Sequence, residues 1–305
     1  MKIIFLFLDG VGLGEPTSQN PFLLAETPFL DSLLQGQKLC KGIHAFQNEV
    51  VSVYELDARV GVQGVPQSAT GQAMLLTGTN IPQQLGYHYG PKPNATIARF
   101  LTNGNLFRAL RERQYRISYL NAFPPLYFEN IASGRRLYSA IPLAAVSAGI
   151  QLNSHEDLVA GRALSADFTG EGWHSHLGFC DVPILTPKEA GQRIAEIAQG
   201  FDLTFFECWM TDYAGHHQNM AEAIRLLELI DRVLEGIATN WDFSEDMLWV
   251  TSDHGNIEDL SHRRHTLNPV PLLLIGSHPT RKELPAFWSL LDIYPSLLRL
   301  LPEKE

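Results

Sequence analysis

Cysteine and positive charge are both scarce in this sequence of 305 residues. The three cysteines, Cys40, Cys180 and Cys208, are odd in number and far apart. This pattern indicates neither a disulfide framework nor a thiolate metal cluster, and we expect free thiols in a reducing cytoplasm. The 23 lysines and arginines face 33 aspartates and glutamates, which gives a net charge of −10. That balance argues against a nucleic-acid phosphate track, so we expect no nucleic-acid partner.

Long hydrophobic runs are missing as well. None approaches the roughly 20 apolar residues that cross a bilayer, so we expect no membrane span. The apolar residues 1–8 are interrupted by Asp9 and Gly10 too early for a signal peptide, and no small-residue cleavage site follows. We interpret this segment as a buried first strand of a cytoplasmic protein.

Continuous apolar runs predict strands that are buried on both faces. These runs cover residues 2–8, 203–208, 247–251 and 271–275. Helical patterns lie between them, over residues 28–34, 69–77, 187–199 and 221–238, and a closing helix is expected over residues 292–301. Strands that alternate with helices predict an α/β fold in three layers, doubly wound, with a mainly parallel sheet.

The middle of the chain has a different character. Residues 89–184 have scattered turn residues, weaker periodicity, and nine basic against seven acidic side chains. We therefore predict a smaller inserted cap or lid domain over residues 89–184, and a core formed by residues 1–88 and 185–305. A slightly basic lid over an acidic core would suit an anionic substrate.

Two loops carry candidate binding residues near the amino terminus. Asp9 directly follows the first predicted strand, at the edge of the sheet where ligands of open α/β folds bind. A dinucleotide-binding loop is disfavoured, because Glu15 stands where its third glycine is due. Ser68 opens a predicted helix, where backbone N–H groups favour an anion, although it is also a possible ordinary helix cap. A nucleophile elbow is excluded, since Pro66 and Thr70 occupy its two glycine positions.

Carboxylates and histidines gather at the ends of the later strands. Each is individually compatible with a helix cap or a satisfied core histidine. Jointly, three strand-end aspartates would repel one another unless cations neutralised them. Histidines and carboxylates without thiolates suit Zn²⁺ or Mn²⁺. We therefore predict a metal site built from these groups, which are Asp9, Asp212, His216, Asp253, His254 and His265.

In their shared order, these segments resemble the alkaline phosphatase superfamily of metal-dependent phosphoryl-transfer enzymes. They are most similar to the branch that contains cofactor-independent phosphoglycerate mutase and phosphopentomutase. The resemblance covers roughly residues 1–88 and 185–305, and it implies an alkaline phosphatase-like fold. The matching stretches are residues 8–12, 20–21, 27–28, 30–31, 68–71, 212–216, 253–255 and 265–271.

The resemblance implies two divalent metal ions, Mn²⁺ or Zn²⁺. Asp212, His216 and His265 would hold one ion. Asp9, Asp253 and His254 would hold the other, and Ser68 would be its exchangeable ligand and the nucleophile. Thr70 is the rival nucleophile.

Two departures from the family pattern affect the expected substrate. Gln72 replaces the histidine that usually follows the nucleophile segment of the mutases, and the predicted lid is much shorter than that of phosphoglycerate mutase. Four arginines are candidates for binding a substrate phosphate or carboxylate, although each also fits a solvated surface arginine. They are Arg135, Arg136, Arg162 and Arg264.

These observations predict a hydrolase that acts on phosphomonoesters of a small metabolite through a phosphoserine at Ser68. An intramolecular phosphomutase of the phosphoglycerate or phosphopentose type is the closest alternative, and phosphodiester or sulfate-ester hydrolysis stays open. A metal-stabilised protein that only binds its ligand is the contrasting class, and a redox enzyme is a distant third. The sequence does not indicate an oligomeric state.

Overall fold

Six strands form one sheet at the centre of the computed structural model, which describes residues 1–43 and 46–304. They are β1 (Ile3–Leu8), β2 (Val51–Leu56), β3 (Ile117–Tyr119), β4 (Leu203–Cys208), β5 (Met247–Thr251) and β6 (Val270–Ile275). The order is β2-β6-β5-β1-β4-β3. β1 is parallel to β4 and β5, and β3 is parallel to β4, whereas β6 is antiparallel to both β5 and β2. The predicted mainly parallel α/β fold is confirmed.

The helices cover both faces of this sheet. They are α1 (Pro28–Leu33), α2 (Ser68–Thr77), α3 (Ile81–Leu85), α4 (Ala95–Asn103), α5 (Leu106–Glu112), α6 (Pro125–Ala132), α7 (Ala140–Ser147), α8 (His155–Val159), α9 (Glu171–Ser175), α10 (Pro187–Ala198), α11 (Met210–His217), α12 (Met220–Asn240), α13 (His278–Lys282) and α14 (Ile293–Leu300). Of the helices within the described ranges, none is both long and apolar enough to cross a membrane.

Alternation along the strands divides the core into two hydrophobic layers. Leu6 and Val250 face the layer that α1, α10 and α12 cover. Phe5, Phe205 and Trp249 face the opposite layer, which α2, α4, α5, α7 and α14 cover. The result is a helix–sheet–helix sandwich in three layers, as the alternation of strands and helices predicted.

The predicted elements agree with the observed ones to within two residues at each end. Two strands were missed, and so were the helices α3 to α9, α11 and α13. β2 carries Ser52 and Glu55, so it lacks the continuous apolar run that marks a strand buried on both faces. β3 has only three residues, of which two are half-buried. Both lie at the edges of the sheet, where burial is incomplete and the sequence signal is weak.

The predicted lid shares the sheet with the predicted core. β3 lies inside residues 89–184 and pairs with β4, and helices α4, α5 and α7 contribute to the same hydrophobic layer as Phe205. A small separate hydrophobic cluster, which includes Trp173 and Val182, also forms within residues 89–184. That residues 89–184 form a lid that moves as a unit stays a prediction. The predicted core also includes residues 44, 45 and 305, which lie outside the described residues.

Candidate metal centre

The predicted metal ligands lie at the end of the sheet where the parallel strands β1, β4 and β5 finish. Asp9 follows the last residue of β1, and Asp253 and His254 follow β5 after one residue. Asp212 lies in the first turn of α11, directly beyond β4. His265 precedes β6, and because β6 runs against its neighbours, its beginning lies where the parallel strands end. The antiparallel strand β6 therefore brings His265 to the same end of the sheet as the other predicted ligands.

One group of side chains consists of Asp212, His216 and His265. Asp212 and His216 are four residues apart on α11, and a carboxylate oxygen of Asp212 lies 3.2 Å from Nε2 of His216. The other Asp212 oxygen lies 3.4 Å from Nε2 of His265. The two Nε2 atoms are themselves 3.2 Å apart. Three donor atoms thus converge on one point.

The hydrogen bonds of the two imidazoles fix which nitrogen faces this point. Nδ1 of His216 lies 2.8 Å from the carbonyl oxygen of Arg263, and Nδ1 of His265 lies 2.9 Å from that of Pro66. A carbonyl only accepts, so each Nδ1 carries the proton and donates it. In the neutral rings, both Nε2 atoms then present lone pairs to each other at 3.2 Å. A cation between them removes this repulsion, which is the usual arrangement of metal-binding histidines.

A second group surrounds Ser68 and is almost completely buried. Nε2 of His254 lies 3.0 Å from Oγ of Ser68, 3.3 Å from Oδ1 of Asp9 and 3.6 Å from Oδ2 of Asp253. Oδ1 of Asp9 has no hydrogen-bond partner among the described residues. Donor atoms of Asp9, Asp212 and His254 also lie within 4.8 Å of one another. Asp212 therefore lies between the two groups.

The aspartates at this end of the sheet have pKa values that burial and neighbouring groups shift strongly. Burial, followed by the negative charge of Asp253, raises the pKa of Asp9 to about 7. Burial also raises the pKa of Asp253. Burial acts in the same direction on Asp212, but hydrogen bonds with His216 and His265 outweigh it and lower the pKa of this carboxyl. Negative charge is thus costly at Asp9 and Asp253, and divalent cations would neutralise it.

The donor set fits divalent metal ions. It combines the imidazoles of His216, His254 and His265 with the carboxylates of Asp9 and Asp212, whereas Asp253 is not among the donors that converge. One oxygen of Asp9 is buried without a hydrogen-bond partner among the described residues. The thiol of Cys208 is not among these donor atoms, and burial raises its pKa to about 12. Nitrogen and oxygen donors without thiolate are typical of Mn²⁺ and of catalytic Zn²⁺ sites.

Gln72 joins the two buried aspartates of the second group, a role that we did not predict. Its Nε2 lies 3.3 Å from Oδ2 of Asp9 and 3.3 Å from Oδ2 of Asp253. It lies one helical turn after Ser68 on α2, so this spacing places it on the same side of the helix. The Gln72 amide therefore donates to one oxygen of each carboxylate, and the other oxygen of each is not bonded to Gln72. It stands where the resemblance leads one to expect histidine.

Glu258 joins the loops that carry the ligands. Its carboxylate is 1% exposed and accepts from Gly12 N at 2.9 Å, Asn256 N at 2.7 Å and Asn268 Nδ2 at 3.0 Å. It also accepts from the hydroxyl of Thr266, next to His265. Sequence reasoning missed Glu258 because these donors are brought together only by the fold. The signal available was an acidic residue four positions after His254, within the same loop.

Asn256 extends this support to the first group. Its Nδ2 lies 2.6 Å from Oδ1 of Asp212 and 3.0 Å from the Asp212 carbonyl oxygen. Together, Glu258 and Asn256 connect the segments that follow β1, β4 and β5 with the segment that precedes β6. Such outer hydrogen bonds orient ligands and affect metal affinity.

Comparisons with known proteins agree with this geometry. Residues 186–303 match the model of the Metalloenzyme superfamily. The cold-active alkaline phosphatase of Shewanella sp. superimposes with a TM-score of 0.57 at 13% identity, covering 99% of this chain and 100% of that one. The fold is alkaline phosphatase-like, and the predicted resemblance is confirmed. The phosphoglycerate mutase of Leishmania mexicana has this alkaline phosphatase-like fold too, with a TM-score of 0.51 at 12% identity, covering 100% and 96% of the two chains.

Sequence similarity points to the mutases. The 2,3-bisphosphoglycerate-independent phosphoglycerate mutase of Methylobacillus flagellatus is 29% identical over 132 residues, which are 40% of this chain and 25% of that protein. That of Rhodopseudomonas palustris is 32% identical over 128 residues, again 25% of its length. The match therefore spans about a quarter of these relatives.

The predicted substrate arginines lie in different surroundings. Arg162 makes two hydrogen bonds to Asp157, at 2.8 and 3.1 Å, which commits its guanidinium to a surface ion pair. Arg135, Arg136 and Arg264 are all exposed. Arg136 lies over the ring of Tyr127, with Cζ 4.8 Å from the ring centre. Of the four, Arg136 alone has a defined aromatic contact within the described part of the chain.

Proposed function

We propose that this protein is a two-metal phosphoryl-transfer enzyme that acts on a small phosphorylated metabolite, with Ser68 as its nucleophile. The observation that carries the proposal is the contact of 3.0 Å between Oγ of Ser68 and Nε2 of His254, in a buried pocket with Asp9 and Asp253. Ser68 is the first residue of α2, and the positive end of the helix dipole favours an anion there.

The residues divide into two metal sites as the resemblance implies. Asp212, His216 and His265 would hold one ion, and Asp9, Asp253 and His254 the other, with Asp212 between the two groups. Mn²⁺ or Zn²⁺ ions bound there would lower the pKa of a coordinated hydroxyl and neutralise charge on the phosphoryl oxygens.

The hydrogen bonds of the two hydroxyls support Ser68 over Thr70. The Thr70 hydroxyl donates to the carbonyl oxygen of Gln67 at 3.0 Å and accepts from the backbone N–H of Tyr89 at 3.2 Å. It is fully buried and committed to the backbone. The Ser68 hydroxyl instead faces the predicted ligand His254.

The proposed reaction has two stages. Oγ of Ser68 attacks phosphorus, its proton passes to solvent, and the bond from phosphorus to the leaving oxygen breaks as that oxygen takes up a proton. An acceptor oxygen then loses its proton and attacks phosphorus, the bond from phosphorus to Oγ breaks, and Oγ of Ser68 takes up a proton. A water acceptor yields free phosphate, and a hydroxyl of the substrate yields an isomer.

Transfer to a substrate hydroxyl is the better supported outcome. The relatives in sequence are named phosphoglycerate mutases, and this favours a mutase over the phosphomonoester hydrolase that the sequence predicted. Hydrolysis is the second candidate, because alkaline phosphatases share the fold.

The test is reconstitution of chelator-treated protein with Mn²⁺ and Zn²⁺ separately. The substrates are an aryl phosphate, 3-phosphoglycerate and ribose 1-phosphate, and phosphorus NMR follows their products. An isomer without free phosphate would identify a mutase, and free phosphate a hydrolase. Ser68→Ala should abolish turnover and any phosphoserine detected by mass spectrometry, whereas Thr70→Val should retain both. Inactivity on all three substrates with two metals bound would refute the proposal.

A further inference from the structure

The first turn of α2 packs directly against the segment that carries Asp253. At Gly71, a Cβ atom would lie 2.8 Å from Cβ of Asp253 and 2.9 Å from its carbonyl oxygen. A side chain has no room there, so glycine is what allows this close approach. Gln72 follows at the next position and is 3% exposed. The helix therefore brings the Gln72 side chain to the segment that follows β5.

One nitrogen of Gln72 joins two aspartates from different segments. Its Nε2 lies 3.3 Å from Oδ2 of Asp9, which follows β1, and 3.3 Å from Oδ2 of Asp253. An amide nitrogen carries two hydrogens, so it can donate one to each carboxylate. Asp253 is not among the donors that converge, and the shared nitrogen keeps its carboxylate next to that of Asp9. The segments after β1 and β5 are thus joined to α2 at this amide.

The hydrogen bond to Asp9 fixes the orientation of its carboxylate. The last side-chain torsion of aspartate has a broad, roughly two-fold preference, so an unrestrained carboxylate can exchange its two oxygens. With Oδ2 of Asp9 held by Gln72, Oδ1 lies 3.3 Å from Nε2 of His254, which in turn lies 3.0 Å from Oγ of Ser68. This Oδ1 is the buried oxygen without a hydrogen-bond partner among the described residues. Gln72 therefore directs the free oxygen of Asp9 to the point where His254 and Ser68 meet.

The first group of ligands has other supports. Asn256 donates to Oδ1 of Asp212 at 2.6 Å, and backbone carbonyl oxygens hold the two imidazoles of this group. Within the described part of the chain, the side-chain hydrogen bonds of Gln72 reach Asp9 and Asp253 alone. A change at Gln72 would therefore disturb the second group and leave the first group intact.

We propose that Gln72 is a positioning residue that sets the metal affinity of the second site, formed by Asp9, Asp253 and His254, and not that of the first. This inference rests on the two-metal assignment of the proposed function. Loss of a hydrogen bond that orients metal ligands typically lowers metal affinity about 10- to 100-fold. A neutral amide suits this role, because it donates to both carboxylates without adding a positive charge that would repel the ion.

Single-site variants allow each ion to be measured alone. His216→Ala removes a ligand of the first group and leaves the second, whereas Asp9→Ala removes a ligand of the second group. Titration with Mn²⁺, with the free ion followed by electron paramagnetic resonance, gives the dissociation constant of the remaining site. In the His216→Ala protein, we expect Gln72→Met to weaken Mn²⁺ binding about 10- to 100-fold. In the Asp9→Ala protein, the same change should alter binding by less than about twofold.

Two further variants show whether the hydrogen bonds themselves are responsible. Gln72→His can direct one N–H to one carboxylate, so it should lose less affinity at the second site than Gln72→Met. If circular dichroism shows that Gln72→Met does not fold, Gln72→His decides the question by the same comparison of the two sites. Gln84→Met is the matched control, because Gln84 is an exposed glutamine of α3, and it should leave both sites unchanged.

The outcomes separate this inference from the proposed chemistry. Unchanged Mn²⁺ binding at the second site, or an equal loss at both sites, would overturn the role of Gln72, even in an enzyme that is active in the reconstitution test. A loss confined to the second site, in a protein without any turnover, would support the role of Gln72 and refute the phosphoryl-transfer chemistry instead.

Discussion

Glu207 allows a quantitative test of the electrostatics beside the metal centre. It lies in β4, is buried, and accepts a hydrogen bond of 2.6 Å from the Tyr119 hydroxyl. Burial raises its pKa from 4.5 to about 7, and the negative charge of Asp9 adds to the effect. The folded protein therefore retains a proton on Glu207 at pH values where the unfolded chain has lost it.

The sign and size of the effect on stability follow from this difference. Between pH 4.5 and about 7 the folded state binds more protons than the unfolded state, so the free energy of unfolding decreases as pH rises through this window. The difference between the two pKa values, about 7 and 4.5, is multiplied by 1.36 kcal/mol per pH unit. The free energy of unfolding is therefore lower by about 3 kcal/mol at pH values above this window. Glu207→Gln cannot ionise, and its amide oxygen can still accept from Tyr119. We expect this variant to be about 3 kcal/mol more stable than wild type at pH 8 and similar at pH 4.5.

Urea denaturation between pH 4.5 and 8 measures this difference. The protein should be chelator-treated, because a cation at Asp9 would change the local charge. Glu129→Gln is a suitable control, since Glu129 is exposed on α6 and its removal should leave the pH dependence almost unchanged. The reasoning would be refuted if Glu207→Gln were less stable than wild type at every pH, or if its stability kept the wild-type slope.

Two further predictions concern buried carboxylates. Glu258→Gln replaces one acceptor oxygen by a donor that faces N–H and hydroxyl groups, so we expect metal affinity to fall about 10- to 100-fold, measured by titration with Mn²⁺; unchanged affinity would contradict the role of Glu258. Asp231 accepts from the backbone N–H groups of Phe29 and Leu30 at 3.1 and 2.8 Å, at the start of α1. Asp231→Ala should lower the free energy of unfolding by about 1–3 kcal/mol in urea denaturation, and Asp231→Asn, which keeps one acceptor, by less. Equal losses in the two variants would argue against this capping role.

The central strands and their helices were predictable because each carries its own signal. The apolar runs of β1, β4 and β5 are long enough to be buried on both faces, and the amphipathic patterns of α10 and α12 mark one buried side. Aspartates directly after such strands lie at the ligand-binding edge of any parallel sheet. Asp9 and Asp253 could therefore be proposed as ligands from local sequence.

Contacts between distant loops could not be predicted in this way. Glu258, Gln72 and Asn256 owe their roles to donors and acceptors up to 246 positions away in the sequence, as for Glu258 and Gly12. Sequence reasoning predicted the candidate ligands, but it did not identify the groups that support them.

The sequence by itself determined the three-layer α/β core, the candidate ligand residues and the resemblance to metal-dependent phosphoryl-transfer enzymes. These depend on short-range patterns of burial and on residue chemistry. Only the tertiary structure decided that β6 runs antiparallel and so brings His265 beside Asp212, and that β3 joins the predicted lid to the central sheet. Strand direction and edge pairing are set by which surfaces meet in space, and a linear pattern of apolar residues is the same for a strand that runs in either direction.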